Sequence, residues 1–310
     1  MVSSEQQRLQ DIRSGNTRAL ARAISYIENG IEDYHALLAG LPPSPLKIVG
    51  ITGPPGVGKS TLVDALIRCY VGEHKKVAVL CVDPSSAFYF GALLGDRIRM
   101  SEWYNHPDVF IRSLSTRGSL GGLHPRIIEI ADLLKLAPFD HLIVETVGVG
   151  QNEIEIAGLA DTTVVVLAPE GGDDIQSMKA GLLEIADIFV VNKSDRPGAD
   201  LFVHNLRSMQ SRGQGRDVPI VKTVASRQEG IDQLVRLILE DQARDDADER
   251  RYRLLAERAY LLLREQKMKG ITKQDLAVMI RAASKEGPFN LYRFVLTLSS
   301  RTSSDKKGIS

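Results

Sequence analysis

A chain of 310 residues with 43% hydrophobic and 25% charged side chains has the make-up of a soluble globular protein, one large domain or one domain with additions. Lysine plus arginine and aspartate plus glutamate both total 39, so no overall field draws the chain to nucleic acid or to an anionic membrane. The polar N-terminal stretch MVSSEQQRLQDIRSGN lacks the apolar core of a signal peptide, and every apolar run is far shorter than a bilayer span, which predicts a cytoplasmic protein.

Residues 1–40 read as helix, because Leu9, Ile12, Leu20, Ile24, Ile27 and Ile31 recur at roughly helical spacing between charges. GLPPSP at 40–45 is a breaker and marks a boundary. The apolar strand LKIVGIT (46–52) then runs into GPPGVGKST (53–61), which the helical LVDALIRCY follows. The pattern G-x-x-x-x-G-K-[ST] between a strand and a helix predicts a phosphate cradle. In the loop Gly53, Pro55, Gly56, Val57 and Gly58, the glycines let backbone N–H groups turn inward around phosphate. The helix starting near Lys59 adds its N-terminal partial positive charge. Lys59 is expected to reach the β- and γ-phosphates, and the Ser60 hydroxyl to ligate Mg²⁺.

The next strand, KVAVLCV (76–82), is closed by Asp83; Asp96 lies in GALLGDRIRM, and Glu145 ends HLIVET (141–146). Ligands in α/β sheets lie beyond the carboxyl ends of the strands. Asp83 and Glu145 are therefore aimed at the phosphates as metal candidates, while the place of Asp96 depends on the path of its loop. Cys69 falls in the helix after the cradle and Cys81 in the next strand; both read as buried thiols. No CxxC pair or His-rich tract is present, so no dedicated zinc or nickel site is expected.

TTVVVLA (162–168), DIFVVN (187–192) and PIVKT (219–223) continue the alternation of strands and helices. These runs are rich in β-branched residues and lack polar alternation, so both faces are buried, as in a parallel sheet with helices on its faces. VVNKSD places Asn192, Lys193 and Asp195 just past a strand, and N-K-x-D reads guanine in P-loop proteins. A carboxylate at Asp195 accepts both N–H groups of the guanine edge; against adenine it faces an acceptor, and an unmatched buried polar group is costly. The Lys193 stem can lie over the base and Asn192 can tie neighbouring loops together. In TVASRQEGI, the backbone around Ala225 and Ser226 is the candidate contact for guanine O6, with an ordinary strand-to-helix turn as the alternative.

Beyond residue 240 the chain becomes a long charged helical stretch with an apolar side of Leu254, Leu255, Leu261, Leu262 and Leu263. That side packs on its own domain or against a second subunit. The tail SSRTSSDKKGIS is expected to be disordered. The expected fold class is α/β, a P-loop NTPase with a mainly parallel central sheet flanked by helices. The expected organisation is an N-terminal helical extension (1–45), the nucleotide domain (46–240), and a helical dimerisation arm with a flexible tail (241–310).

Taken together, the cradle, VDPSS…GALLGDRIRM, STRGSLGGL, ETVGVGQNE and GGDDIQSMKAGLLEIADIFVVNKSD resemble the MeaB/ArgK-type GTPases, the methylmalonyl-CoA mutase-associated GTPases, over roughly residues 5–240. The resemblance implies a homodimeric GTPase that acts as a chaperone for an adenosylcobalamin-dependent acyl-CoA mutase, gating cofactor loading and protecting the mutase. It implies that Lys59, Ser60 and Thr61 hold phosphate and metal, that Asp83, Asp96 and Glu145 are the magnesium-side acids, and that Asn192, Lys193 and Asp195 read guanine. VDPSSAFYFGALLGDRIRM corresponds to a first switch, ETVGVGQNE to a second and APEGGDDIQSMKAG to a third loop that senses the mutase. Phosphoryl transfer needs positioning and charge neutralisation more than covalent help. Gln151 is the candidate for the attacking water, with a solvent-facing switch residue as the alternative; Asp83 orients that water through metal or solvent, and Arg97, Arg99 and Arg117 are cations that could reach developing phosphate charge, with surface arginines as the alternative. A site so equipped predicts slow intrinsic turnover that a partner accelerates.

Two stretches depart from the family pattern. Ala87, Tyr89 and Phe90 stand in the first switch where a proline and a Thr-Gly pair are usual, and Glu170 replaces a glycine in the third loop. The default client is methylmalonyl-CoA mutase, with isobutyryl-CoA and 2-hydroxyisobutyryl-CoA mutases as related ones. No D-x-H-x-x-G motif is present, so cobalamin is expected on the mutase and not on this chain. Rival readings are a metal-insertion GTPase for a nickel enzyme, a transport-associated ATPase or kinase, and a scaffold with vestigial GTPase activity. Scattered histidines oppose the first, Asp195 the second, and the complete set Lys59, Ser60, Asp83 and Asp195 the third.

Overall fold

The computed structural model describes residues 4–31, 34–83, 100–115, 123–146, 156–169, 180–212, 217–244 and separate stretches within 252–298. Seven strands form one sheet: β1 (Ile48–Thr52), β2 (Val77–Asp83), β3 (Val109–Ser115), β4 (His141–Glu145), β5 (Thr162–Leu167), β6 (Ile188–Val191) and β7 (Ile220–Lys222). Their order is β3-β2-β4-β1-β5-β6-β7, and every pairing is parallel. β1, β5 and β6 are buried along their whole length, as runs covered by helices on both faces must be. The chain is thus α/β with a parallel sheet. The six expected strands are present, and β3 joins them unannounced. It lies at the sheet margin, carries Arg112 and Ser113, and is half-buried through its middle, so it lacks the continuous apolar run by which the others are read.

On one face, α4 (Lys59–Gly72) and α8 (Ile231–Gln242) cover the sheet through Leu62, Leu66, Leu234 and Ile238. On the other, α5 (Ile127–Leu134) packs with the N-terminal helices over Leu80, Leu142 and Val144. α6 (Ala180–Ile185) and α7 (Ala199–Arg212) cover β5 and β6 through Leu182, Phe202 and Leu206. Cys81 is buried in β2, whereas Cys69, expected to be buried, is half-buried on α4.

The expected helical stretch over 1–40 is made of three helices among the described residues: α1 (Ser4–Arg13), α2 (Thr17–Asn29) and α3 (Tyr34–Ala39). Asn16 caps α2, its Oδ1 accepting from the amides of Arg18 at 3.1 Å and Ala19 at 3.0 Å, a stronger local choice than continuing the helix. Gly30 ends α2 in the left-handed conformation at φ 63°. Ile12, Leu20, Ile24 and Ile27 reach the core as the periodicity predicts, but Ile31 falls beyond the cap and is exposed.

At the amino end of the sheet, three aspartates stand one residue before a strand. Asp140 accepts from the Lys76 amide at 2.8 Å, Asp161 from the Ile48 amide at 2.7 Å and Asp187 from the Thr163 amide at 2.8 Å. In return each aspartate's own amide donates to the carbonyl of the same residue. These reciprocal pairs satisfy backbone groups that the strand ladder leaves at its start.

The chain divides into two compact units, residues 1–258 and 259–310. The second contains α9 (Lys273–Glu286), with Val278 and Met279 exposed.

Candidate functional site

The cradle lies at the carboxyl end of β1, the sheet's middle strand. Gly53 adopts φ 140°, and a Cβ there meets the Val166 carbonyl oxygen of β5 at 2.1 Å, so only glycine fits. Pro55 and Gly56 form the exposed tip, and Val57 turns into the core. α4 begins at Lys59 as expected, and Thr61 is exposed in its first turn. The Lys59 ammonium donates to the carbonyls of Gly53 at 2.9 Å and Pro54 at 3.0 Å. These contacts fold the buried side chain back over the loop, where an ammonium meets phosphate oxygens.

Ser60 and Glu145 meet directly: the hydroxyl donates to Oε1 at 2.7 Å, and both residues are buried. Glu145 is set there by register, since it pairs with Ile51 of β1 and Cys81 of β2. The next residue fixes the strand end, as the Thr146 amide donates to the Ile51 carbonyl at 3.0 Å and its hydroxyl to Thr52 Oγ1 at 2.9 Å. A hydroxyl and a carboxylate beside a phosphate cradle are the hard oxygen donors that Mg²⁺ takes alongside phosphate and water. Among the described residues no group of three or more His, Cys, Asp or Glu is arranged to hold a metal. The Ser60 hydroxyl and the Glu145 carboxylate fit such an ion as two of its oxygen donors.

The segment Asn192–Asp195 follows β6. Asn192 is buried and makes three connections: Nδ2 donates to the Val57 carbonyl at 2.9 Å, and Oδ1 accepts from Thr223 Oγ1 and the Ala225 amide, each at 3.1 Å. It ties the cradle, the N-K-x-D segment and the turn after β7 into one unit. Gly58 makes room for it: a Cβ there meets Asn192 Nδ2 at 2.5 Å, and φ is 93°. Lys193 holds the left-handed conformation at φ 55°. Asp195 is exposed and accepts from Arg227 Nη1 at 3.2 Å. Ala225 and Arg227 bound a short 3₁₀ turn in which Ala225 is buried and Ser226 exposed.

Asp83 is the last residue of β2, paired with Ser115 of β3, at the same end of the sheet as Glu145. Its side chain lies outside the described residues, as do Asp96, Gln151, Arg97, Arg99 and Arg117 and the departures Ala87, Tyr89, Phe90 and Glu170. Just after residues 84–99 the chain is anchored: Met100 and Trp103 are buried, and the indole N–H donates to Asp64 of α4 at 2.7 Å. Two residues beside Asp195 escape the sequence reading. Arg227 and Glu229 are joined by Nε to Oε1 at 2.8 Å and Nη2 to Oε2 at 3.4 Å. Their sequence signal is slight, an arginine two positions before a glutamate in a turn ended by glycine.

A family model described as Methylmalonyl Co-A mutase-associated GTPase MeaB matches residues 20–279. A Pyrococcus abyssi protein that carries a GTPase name is 43% identical over 289 residues, covering 91% of this chain and 88% of that protein. The fused isobutyryl-CoA mutase of Cupriavidus metallidurans is 37% identical over 231 residues, 71% of this chain and 21% of that protein. The crystal structure of an LAO/AO transport system kinase superposes with a TM-score of 0.67 over 97% of this chain and 98% of that one, at 24% identity, which shows a common fold.

Proposed function

The chain belongs to the family of methylmalonyl-CoA mutase-associated GTPases, and from that premise we propose that it binds GTP, hydrolyses it slowly to GDP and phosphate, and serves an adenosylcobalamin-dependent acyl-CoA mutase as a chaperone. The observation that carries the nucleotide reading is the Asn192 bridge, which couples the cradle to the segment that reads the base. In this reading Lys59 and the loop amides hold the β- and γ-phosphates, and Asp195 accepts the two N–H groups of guanine. The Lys193 stem lies along the base. Because the Ala225 amide is taken by Asn192, the contact to guanine O6 falls to Ser226.

Ser60 and Glu145 would hold a magnesium ion, with Asp83 and Asp96 proposed as further acids of that site. Bound there, Mg²⁺ would neutralise charge on the phosphate oxygens. Gln151 serves the attacking water. The buried Lys59 and Ser60 orient the reacting phosphate as fixed, preorganised polar groups.

The mutase partner is supported by the fused relative, in which a segment like this chain is part of a mutase polypeptide. Methylmalonyl-CoA mutase and isobutyryl-CoA mutase are the clients to test. A homodimer is supported by the exposed apolar residues of the C-terminal stretch, among them Tyr260, Val278 and Tyr292. Among the described residues no helix is long and apolar enough to cross a membrane, in keeping with a cytoplasmic place of action. The test is co-elution of the purified chain with each mutase in the presence of GDP or a non-hydrolysable GTP analogue. A nucleotide-dependent complex with one of them is expected; separate elution from both under every condition rejects the partner.

A further inference from the structure

We infer that Arg227 is a positioning residue for base recognition: clamped by Glu229, it holds the Asp195 carboxylate in the orientation that accepts both N–H groups of a guanine edge. The inference rests on the reading of Asp195 as the base-recognising carboxylate. Asp195 is at the end of a short segment whose other end, Asn192, is fixed by three hydrogen bonds. Arg227 supplies a contact at the Asp195 end, from Nη1 to Oδ2 at 3.2 Å. Glu229 grips the guanidinium through Nε at 2.8 Å and Nη2 at 3.4 Å, which leaves Nη1 directed at Asp195. The planar fork makes this division of labour possible, and a lysine lacks it.

The turn that carries the pair is rigid. The amides of Val224 and Glu229 donate to each other's carbonyls at 3.0 and 3.3 Å, the Arg227 amide donates to the Val224 carbonyl at 2.9 Å, and Gln228 takes φ 60°. Its start hangs from Asn192 through the Ala225 amide. The turn therefore grips the N-K-x-D segment twice, by backbone at Asn192 and by side chain at Asp195. Arg227 does not compete with the base, because a carboxylate offers about four acceptor positions on two oxygens and guanine needs two. The pair is also solvated, with side chains 51% and 38% exposed, so its worth for folding is small. Its effect belongs to recognition.

The test is titration of the full-length protein with GDP, IDP and ADP, for the native chain and for Arg227→Met, Arg227→Lys and Glu229→Gln. IDP lacks the exocyclic amine and uses one acceptor of Asp195 instead of two. Arg227→Met is expected to weaken GDP binding by about threefold to fivefold, the range of an exposed ion pair. IDP binding weakens less, so the GDP-to-IDP preference narrows while the melting temperature without nucleotide stays put. Glu229→Gln shifts the preference in the same direction by less, and Arg227→Lys restores it in part. With Asp195→Asn already present, Arg227→Met adds no further loss. An unchanged GDP-to-IDP preference in Arg227→Met, or tighter GDP binding, overturns the inference and leaves the guanine reading standing. A native chain that binds ADP as tightly as GDP overturns the guanine reading and the inference with it.

Discussion

The two ends of the sheet use carboxylates in opposite ways. At the amino end, Asp140, Asp161 and Asp187 accept from backbone amides of neighbouring strands and donate their own amides in return. At the carboxyl end, Glu145 accepts from the Ser60 hydroxyl and Asp195 from the Arg227 guanidinium. A backbone amide has no other conformation to adopt in the folded sheet, so the first set is structure. A hydroxyl or a guanidinium can be shared with or ceded to a ligand, so the second set is poised to change partners. The contrast separates acids that build the sheet from acids that meet nucleotide in the proposed reading, though both kinds flank strands.

The largest effect that sharpens this contrast belongs to Lys59. Lys59→Ala is expected to lower GTP hydrolysis by about a hundredfold or more and to abolish the rise in melting temperature on adding GDP, with little change in melting without nucleotide. Glu145→Gln keeps the shape and an acceptor for Ser60 but loses the charge. Hydrolysis should fall by about tenfold to a hundredfold, with a raised magnesium requirement, as for groups that support a metal site.

Asp187→Ala should show the reverse profile. It leaves the Thr163 amide buried without its carboxylate acceptor, at a cost of about 1–3 kcal/mol, read as a lowered melting temperature with hydrolysis per folded molecule unchanged. Asp187→Asn, which keeps an acceptor oxygen, should cost less. An Asp187→Ala protein that melts normally but hydrolyses poorly would break the contrast.

The smallest effect is a pH dependence at the amino end. His141 opens β4 and stacks on Tyr70 with ring centroids 3.7 Å apart. Burial lowers its pKa below the ordinary histidine value, with Lys75 adding to the shift and Asp140 opposing it. A depressed histidine pKa means that the folded state favours the neutral ring. Its contribution is present above the unfolded value of about 6.5 and is lost as the pH falls through that value toward the folded one. The melting temperature of the native chain should therefore drop more between about pH 7 and pH 5 than that of His141→Phe. Equal pH slopes would remove His141 from the account.

The sequence makes the carboxyl end legible and leaves the amino end obscure. The cradle and N-K-x-D are short contiguous patterns whose chemistry follows from residue type and spacing, and Glu145 is marked by closing an apolar run. The roles of Asp161, Asp187 and Arg227 depend on partners in other elements, Ile48, Thr163 and Asp195, which no local pattern announces. β3 escaped because a strand at the sheet margin need not be apolar, and Arg112 serves Glu28 and Ser25 of α2 instead. The N-terminal helices merged in the reading because the apolar period carries on across Gly15 and Asn16, while the cap decides where the backbone turns.

The central claim is that this chain is a GTPase answering to an acyl-CoA mutase. Its most direct test is the GTP hydrolysis rate of the purified protein, alone and with methylmalonyl-CoA mutase or isobutyryl-CoA mutase from the same source, with ATP as the comparison nucleotide. The account predicts slow turnover of GTP, little of ATP, and a severalfold rise in the GTP rate with one of the two mutases. A GTP rate that neither mutase moves, or equal turnover of ATP, would contradict it.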